Sequence, residues 1–284
     1  MLLSNFGNDY ELLKAGNGQK LEKWGNIVLL RPDPVVIWND NKINSNEADA
    51  VYYRSNTGGG HWENNKAVPE RWTINYKDLT FNIKQMGFKH TGLFPEQAVN
   101  WERMMNKIKC SSKENIKVLN LFAYTGGATV SCLSAGASVV HVDSSKGMND
   151  WAKENVMSSG LSDKPVRFLV DDVIKFVERE IRRGNKYDAI VMDPPSYGRG
   201  ANKEVWSIEK DLDRLLSLCE QIVTKDFLFV CVNTYSTNLS LLTLENILKT
   251  HFDKSNIQVD EIAIPIKDSK LALPCGVTGW ITNE

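Results

Sequence analysis

The sequence predicts an α/β fold, a parallel sheet covered by helices, with a small β-rich domain ahead of it. Three observations carry that prediction. From about residue 117 onward, short and almost wholly apolar runs alternate with stretches of helical length, the pattern of parallel strands buried on both faces. Two of these runs end as a ligand-binding α/β core should. Val118-Leu119-Asn120-Leu121-Phe122-Ala123-Tyr124-Thr125-Gly126-Gly127-Ala128 passes from strand into paired glycines, and Ser138-Val139-Val140-His141-Val142-Asp143 ends in a carboxylate about twenty residues later. Residues 1–87 lack this alternation and are instead rich in tryptophan, asparagine and short alternating runs.

In that first part, Asn26-Ile27-Val28-Leu29-Leu30-Arg31 and Arg71-Trp72-Thr73-Ile74-Asn75-Tyr76 read as strands. Turns fall at Pro32-Asp33-Pro34, Asn39-Asp40-Asn41 and Gly58-Gly59-Gly60. Trp24, Trp38, Trp62 and Trp72 either fill a small core or offer faces on which unpaired bases stack. The glycine-rich stretch from Arg54 to Trp62 is either a loop ordered by substrate or a connector. Residues 88–284 form the second domain, which opens with a loop through Phe94-Pro95-Glu96-Gln97 and a helix running to about Cys110.

The main sheet then follows as strand 117–122, helix from about 127, strand 138–143, helix 145–159, strand 166–171, helix 172–183 and strand 187–192. Gly126 and Gly127 carry no Cβ, so the backbone can turn sharply and approach a ligand, and the free amides of the next helix point at it. That makes the turn residues Phe122, Ala123, Tyr124, Thr125 and Gly126 cofactor candidates. Asp143 reads as the acceptor for two ribose hydroxyls, or else as a carboxylate favoured by the helix dipole; Ser144 and Ser145 follow, with serine a suitable N-cap. The turn contains neither G-x-G-x-x-G nor G-x-x-x-x-G-K-[ST], so neither a dinucleotide nor a nucleoside triphosphate is expected. A nucleoside cofactor without a pyrophosphate remains.

The strand Tyr187-Asp188-Ala189-Ile190-Val191-Met192 delivers Asp193 at its carboxyl end, and Pro194 and Pro195 freeze the backbone beyond it. Such rigidity suits a reactive site. Tyr197 can stack on a base, and Arg199 and Lys203 can take phosphates or simply be solvated. A fifth strand runs from Phe227 to Ser236 and ends in Thr234-Tyr235-Ser236. A helix around 240–251, a strand 257–266 and a last strand near Val277–Ile281, after Pro274-Cys275-Gly276, complete the sheet.

With Asp143 and Asp193-Pro194-Pro195 in place, Asn120-Leu121-Phe122-Ala123-Tyr124-Thr125-Gly126 resembles motif I of the class I S-adenosylmethionine (SAM)-dependent methyltransferases. It is most similar to the bacterial 23S ribosomal RNA large-subunit methyltransferases, whose motif reads close to NLFSYTG. The resemblance covers roughly residues 88–284. It implies a Rossmann-like seven-stranded core, SAM as cofactor and ribosomal RNA as substrate. It also implies that Asp171 or, better matched, Asp172 accepts the adenine amino group while Val173 packs on the ring. Asp193, Pro194 and Pro195 would stand beside the methyl-bearing sulfonium, while Tyr197, two residues past Pro195, stands one further along than the tyrosine of the D-P-P-Y amino-methylating enzymes. In a G-[FY]-F-L-D-Q-R-x-N-R stretch that helps cover SAM, Gly92, Phe94 and Gln97 match, Glu96 stands for aspartate and Ala98 for arginine. Family members that methylate cytosine carbon carry S-C-S where this chain has Thr234-Tyr235-Ser236, so the cysteine nucleophile is replaced by Tyr235 and a nitrogen acceptor is expected. Tyr235 becomes a substrate-binding candidate, and Cys231, deeper in the strand, a structural cysteine.

The composition, 42% hydrophobic and 24% charged over 284 residues, is that of a globular protein. No stretch nears the roughly 20 apolar residues of a membrane helix, and the N-terminus has neither basic nor apolar leader character, so a cytoplasmic location is expected. The five scattered cysteines have no metal spacing, so no metal is expected. A net charge of −1 leaves any RNA contact to a local patch. Three rivals follow from these residues: methylation of a protein or small molecule, a SAM-binding RNA-binding protein without turnover, and a nicotinamide dehydrogenase, against which the missing glycine fingerprint weighs.

Overall fold

Wherever turn residues interrupt the alternating N-terminal runs, those runs become antiparallel strands. In a computed structural model of the protein, which describes residues 1–40, 43–56, 59–200, 204–235 and 239–283, the chain divides into two compact units. One comprises residues 2–99 and 263–275; the other comprises Met1, residues 100–262 and residues 276–284.

The first unit begins with β1 (Leu2–Leu3), β2 (Tyr10–Gly16), β3 (Gln19–Trp24), β4 (Ile27–Pro32), β5 (Ala50–Arg54) and β6 (Gly60–Asn64). Strands β2 to β6 form one sheet in that order, antiparallel except for the β4–β5 pair. Asn17 and Gly18, with φ of 54° and 75°, make the tight turn between β2 and β3. β7 (Trp72–Tyr76) and β8 (Leu79–Ile83) form a separate hairpin. The expected turns at Asn41 and Gly58 fall on residues outside the described ones.

The tryptophans of this unit are structural. Trp24 is fully buried, with its ring edge-on to Tyr10 at 4.8 Å. Trp38 donates to Ala15 O, Trp62 to Met86 O and Trp72 to Trp24 O. At the centre lies the buried carboxylate of Glu22, accepting from Tyr10 Oη at 2.7 Å, Arg31 Nε at 2.7 Å and Arg31 Nη2 at 2.8 Å. Burial alone would raise this carboxyl, but Arg31, Lys20 and the hydrogen bonds outweigh it and hold the carboxyl at about 2.

In the second unit, α1 (Ala98–Lys109), most of which lies there, is followed by β9 (Lys117–Leu121), α2 (Gly127–Ser134), β10 (Ser138–Asp143), α3 (Lys146–Ser158), β11 (Val166–Val170), α4 (Val173–Arg183) and β12 (Ala189–Met192). The short hairpin β13 (Tyr197–Arg199) and β14 (Val205–Ser207) comes next, then α5 (Ile208–Glu220), β15 (Phe229–Thr234), α6 (Leu241–His251), β16 (Asn256–Pro265) and β17 (Ala272–Thr282). The main sheet has eight strands in the order β1-β16-β17-β15-β12-β9-β10-β11, seven of them besides the two-residue β1 at its edge. The five central and outer strands β15, β12, β9, β10 and β11 are mutually parallel, and β17 runs antiparallel to β15. This is the Rossmann-like core the resemblance implies.

The chain winds outward from β9 in one direction through β10 and β11, then returns to build the other side with β12 and β15, so β9 flanks the switch point at which such sheets bind ligands. Register sets the site. Leu121 pairs with both Val142 and Met192, and Met192 with Val232. The next residues, Phe122, Asp143, Asp193 and Asn233, therefore emerge in one row along the carboxyl edge. Beneath that row Leu119, Leu121, Val142, Ile190, Met192, Val230 and Val232 pack in one core with α4, α5 and α6.

Two features depart from the sequence reading. β17 starts at Ala272 and runs through Pro274 and Gly276 instead of beginning near Val277. Pro274 offers no N–H and Gly276 has φ of 110°, with a Cβ there only 2.4 Å from Thr234 O, so a stretch that is extended reads locally as a turn. Helix α5 and the hairpin before it were not expected, although Leu212, Leu215, Leu216 and Cys219 mark a helical stripe, all four buried. Among the described residues no helix is long and apolar enough to cross a membrane.

Replacing Glu22 with glutamine should destabilise the protein by about 3–5 kcal/mol, because Arg31 is left buried without its counter-charge. Denaturant unfolding would measure it. In the parent protein the carboxylate's contribution is present above its ordinary 4.5 and is lost as pH falls toward about 2, so the difference between parent and variant should shrink over that window.

Candidate functional site

Left-handed backbone marks the turn after β9. Phe122, Tyr124 and Gly126 have φ of 52°, 50° and 85°, a conformation that costs a residue with a Cβ about 1–3 kcal/mol and persists only where neighbours enforce it. The enforcement is visible. Tyr124 N donates to Asp143 Oδ2 at 2.9 Å, Ala123 N to Val142 O at 3.1 Å, and Asn155 Nδ2 to Thr125 O at 2.8 Å. The Phe122 ring lies 4.7 Å from that of Trp206.

The two glycines answer to protein neighbours as well as to any ligand. A Cβ at Gly126 would stand 3.0 Å from that of Ala152, and one at Gly127 would lie 2.5 Å from the Trp101 ring. Helices α1 and α3 therefore pack directly on this turn. Gly126 caps α2 without a side chain, leaving the helix's first amides for another partner.

Asp143 ties the turn to its neighbour. Its Oδ1 accepts from Ser145 N at 2.8 Å while Oδ2 accepts from Tyr124 N, and each oxygen keeps capacity for one more donor. Burial pushes the carboxyl above its usual range, and the two amides only partly offset that. Ser145 caps α3 through Met148 N, and Ser144 and Ser145 are both exposed.

At the end of β11, Asp171 pairs with Arg179 and accepts from Asp172 N at 2.9 Å. Asp172 caps α4 by accepting from Lys175 N at 2.9 Å, and Val173 is buried. A cleft of about 250 Å³ opens here, lined among others by Ser144, Val170, Asp171, Asp172, Lys175 and Glu204. Val170 is 52% exposed and gives this polar cleft an apolar surface against which a planar ring can lie.

Across the switch point, Asp193 accepts from Asn233 Nδ2 at 3.0 Å. Pro195 O takes the indole N–H of Trp206 at 2.7 Å, and Ser196 O the amide of Ile208 at 3.1 Å, so β14 and the start of α5 hold the double-proline corner. Tyr197 is 56% exposed on β13, its hydroxyl accepting from Arg199 Nε at 3.2 Å. Lys203 lies outside the described residues, as does Ser236; Tyr235 is half-buried just past β15. Cys231 is 1% exposed, and burial pushes its thiol up to about 12, which suits a structural cysteine and not a nucleophile. Among the described residues no group of three or more His, Cys, Asp or Glu side chains could hold a metal.

Phe94 and Gln97 belong to the other unit, Phe94 as N-cap of the 3₁₀ turn Pro95–Gln97 and Gln97 as its last residue, where Gln97 N donates to Phe94 O at 3.0 Å and Gln97 is buried. The sequence reading passed over Trp206, Asn155 and Asn233. Only Asn233 left a usable signal: like Asp193, it is a polar residue that follows an apolar run near the carboxyl end of a strand.

These residues offer little to a phosphate: no lysine or arginine occurs in the turn from Phe122 to Gly127, whereas the Asp143 carboxylate can accept from hydroxyl donors and Val170 gives the cleft an apolar flank. Replacing Asp143 with alanine should weaken SAM binding about 10- to 100-fold in titration calorimetry, the worth of hydrogen bonds to a charged acceptor. Because its carboxyl titrates above the usual range, affinity of the parent protein should fall on acidification before an ordinary aspartate would protonate.

Comparison with known proteins identifies the family of the chain. The profile of the S-adenosylmethionine-dependent methyltransferase family matches residues 50–254. A solved SAM-dependent methyltransferase from Agrobacterium tumefaciens superposes with a TM-score of 0.94 at 33% identity, over 100% of this chain and 93% of that one. Ribosomal RNA large subunit methyltransferase K/L of Syntrophotalea carbinolica is 29% identical over 202 residues, 68% of this chain and 27% of that protein. Ribosomal RNA large subunit methyltransferase I of Escherichia coli is 47% identical over 85 residues, 30% of this chain and 22% of that protein. The chain thus spans about a quarter of the length of these curated relatives. On the family profile and on the Agrobacterium structure alike, this chain belongs to the S-adenosylmethionine-dependent methyltransferases.

Proposed function

We propose that the protein methylates a base nitrogen of ribosomal RNA. The observation that carries this reading is the carboxylate of Asp193 at the switch point, held by Asn233 with no accessible thiol beside it. Carbon methylation of a pyrimidine needs a nucleophile that adds to the ring, and neither Tyr235 nor the buried Cys231 supplies one. The names of the ribosomal RNA methyltransferases among the relatives support RNA as the acceptor.

Bound SAM supplies an electrophilic methyl group on its sulfonium. Asp143 would hold the ribose, and the turn Phe122–Gly126 would line the cofactor. Ser144, Ser145, Asp171, Asp172 and Val173 surround the adenine end. Asp193 accepts a hydrogen bond from the acceptor's N–H, aims the nitrogen lone pair along the transfer line and takes the proton as the nitrogen becomes cationic. The rigid corner at Pro194 and Pro195 keeps that carboxylate from drifting. Tyr197, Arg199 and Tyr235 contact the RNA.

The N-terminal unit contributes substrate binding through β5 and β6. One exposed aromatic platform there is Tyr53, 42% exposed and stacked on His61 at 5.8 Å, with Arg54 next to it in sequence.

Labelled methyl from SAM should appear in deproteinised ribosomal RNA taken from cells lacking the gene; label confined to protein, or absent, would overturn the reading. Replacing Asp193 with alanine should lower kcat at least about 100-fold while SAM affinity stays within about twofold. Tyr53→Ala should weaken binding of the same RNA by about 1–3 kcal/mol, seen in filter binding, and leave SAM affinity unchanged.

A further inference from the structure

We propose that Asn233 is a positioning residue for methyl transfer, one that fixes the orientation of the Asp193 carboxylate and is kept at the expense of stability. This inference rests on the catalytic reading of Asp193 given above. Asn233 is the fifth residue of β15 and is 1% exposed, flanked on the N-terminal side by the buried apolar residues Val230, Cys231 and Val232. Met192 and Val232 are paired in register, so Asp193 and Asn233 leave two adjacent parallel strands at the same level. Asn233 Nδ2 donates to Asp193 Oδ1 at 3.0 Å. The opposite amide orientation would set oxygen against oxygen, so the nitrogen faces the carboxylate.

That orientation leaves the other end of the amide buried. Asn233 Oδ1 has no hydrogen-bond partner among the described residues. A buried acceptor without a donor destabilises the fold, whereas an apolar side chain in the same place would carry no such penalty. If the residue served only to hold the sheet together, valine would serve it better, as it does at Val230 and Val232. The bond to Asp193 is the compensating gain. A carboxylate on a corner frozen by two prolines has little freedom left except rotation about its own side chain. The amide restrains that rotation through Oδ1. Misplacement of a reacting group by about 1 Å can cost about 100-fold in rate, so this restraint acts on turnover and not on cofactor binding.

Asn233→Val and Asn233→Asp would be assayed by labelled methyl transfer to the same deproteinised ribosomal RNA, beside the parent protein and the Asp193 variant. Asn233→Val is expected to melt at or above the parent temperature, to bind SAM and RNA within about twofold, and to lose about 10- to 100-fold in kcat. Asn233→Asp keeps the shape but donates only when protonated. Its kcat relative to the parent should therefore recover as pH is lowered, while the ratio for Asn233→Val stays flat. Unchanged kcat in Asn233→Val, or a lower melting temperature with kcat and KM reduced together, would overturn the proposal and leave Asn233 a structural residue. Failure of the underlying reading looks different: the Asp193 variant would keep its turnover, or the parent protein would transfer no methyl group to RNA.

Discussion

The carboxylate of Asp143 is the restraint on which the proposed cofactor end of the site depends. One oxygen holds the amide of Tyr124 and the other that of Ser145, so a single side chain joins the turn after β9 to the start of α3. Without the first bond, Phe122 and Tyr124 would have less reason to stay in left-handed backbone, and the amides opening α2 would lose their direction. Packing reinforces the same geometry from outside, since Trp101 and Ala152 sit where any Cβ on Gly127 and Gly126 would have to go. The turn is thus specified twice, once by hydrogen bonding and once by volume.

The reactive end is built on the same plan with different materials. Two prolines stiffen the corner after β12, and the indole of Trp206 and the amide of Ile208 fasten its carbonyls to the next elements in the chain. Both ends of the site are therefore fixed by short-range bonds across neighbouring strand ends. The register of β9 with β10 and β12 brings those strand ends level.

Most of the core was legible in the sequence because parallel strands buried on both faces leave unmixed apolar runs, and because the turns that matter end in residues with few other uses: paired glycines, a terminal aspartate, a double proline. The seven-stranded architecture followed from these. What was missed lacked a periodic signal. The three-residue strands around Trp206 are too short to show one, and Pro274 and Gly276 mimic a turn inside β17. In the site, Asp143 and Asp193 were readable as strand-terminal carboxylates. The cap made by Asp172 was legible as a residue type, but the ion pair between Asp171 and Arg179 was not, because it joins side chains whose meeting depends on helix geometry. In the N-terminal unit the tryptophans attracted attention by their number, yet each indole N–H of Trp38, Trp62 and Trp72 is spent on a backbone carbonyl.

The make-up of the two units has a consequence for biosynthesis. Residues 263–275 belong with residues 2–99, and in that unit Ser4 N donates to Ala263 O and Lys267 N to Leu12 O. A chain emerging from the ribosome amino end first can form the β2–β6 sheet early, but it cannot complete this unit until some 160 intervening residues have been made. Residues 263–275 thus close a module that residues 2–99 begin. Deleting residues 263–275 would therefore injure the fold of residues 2–99 as well.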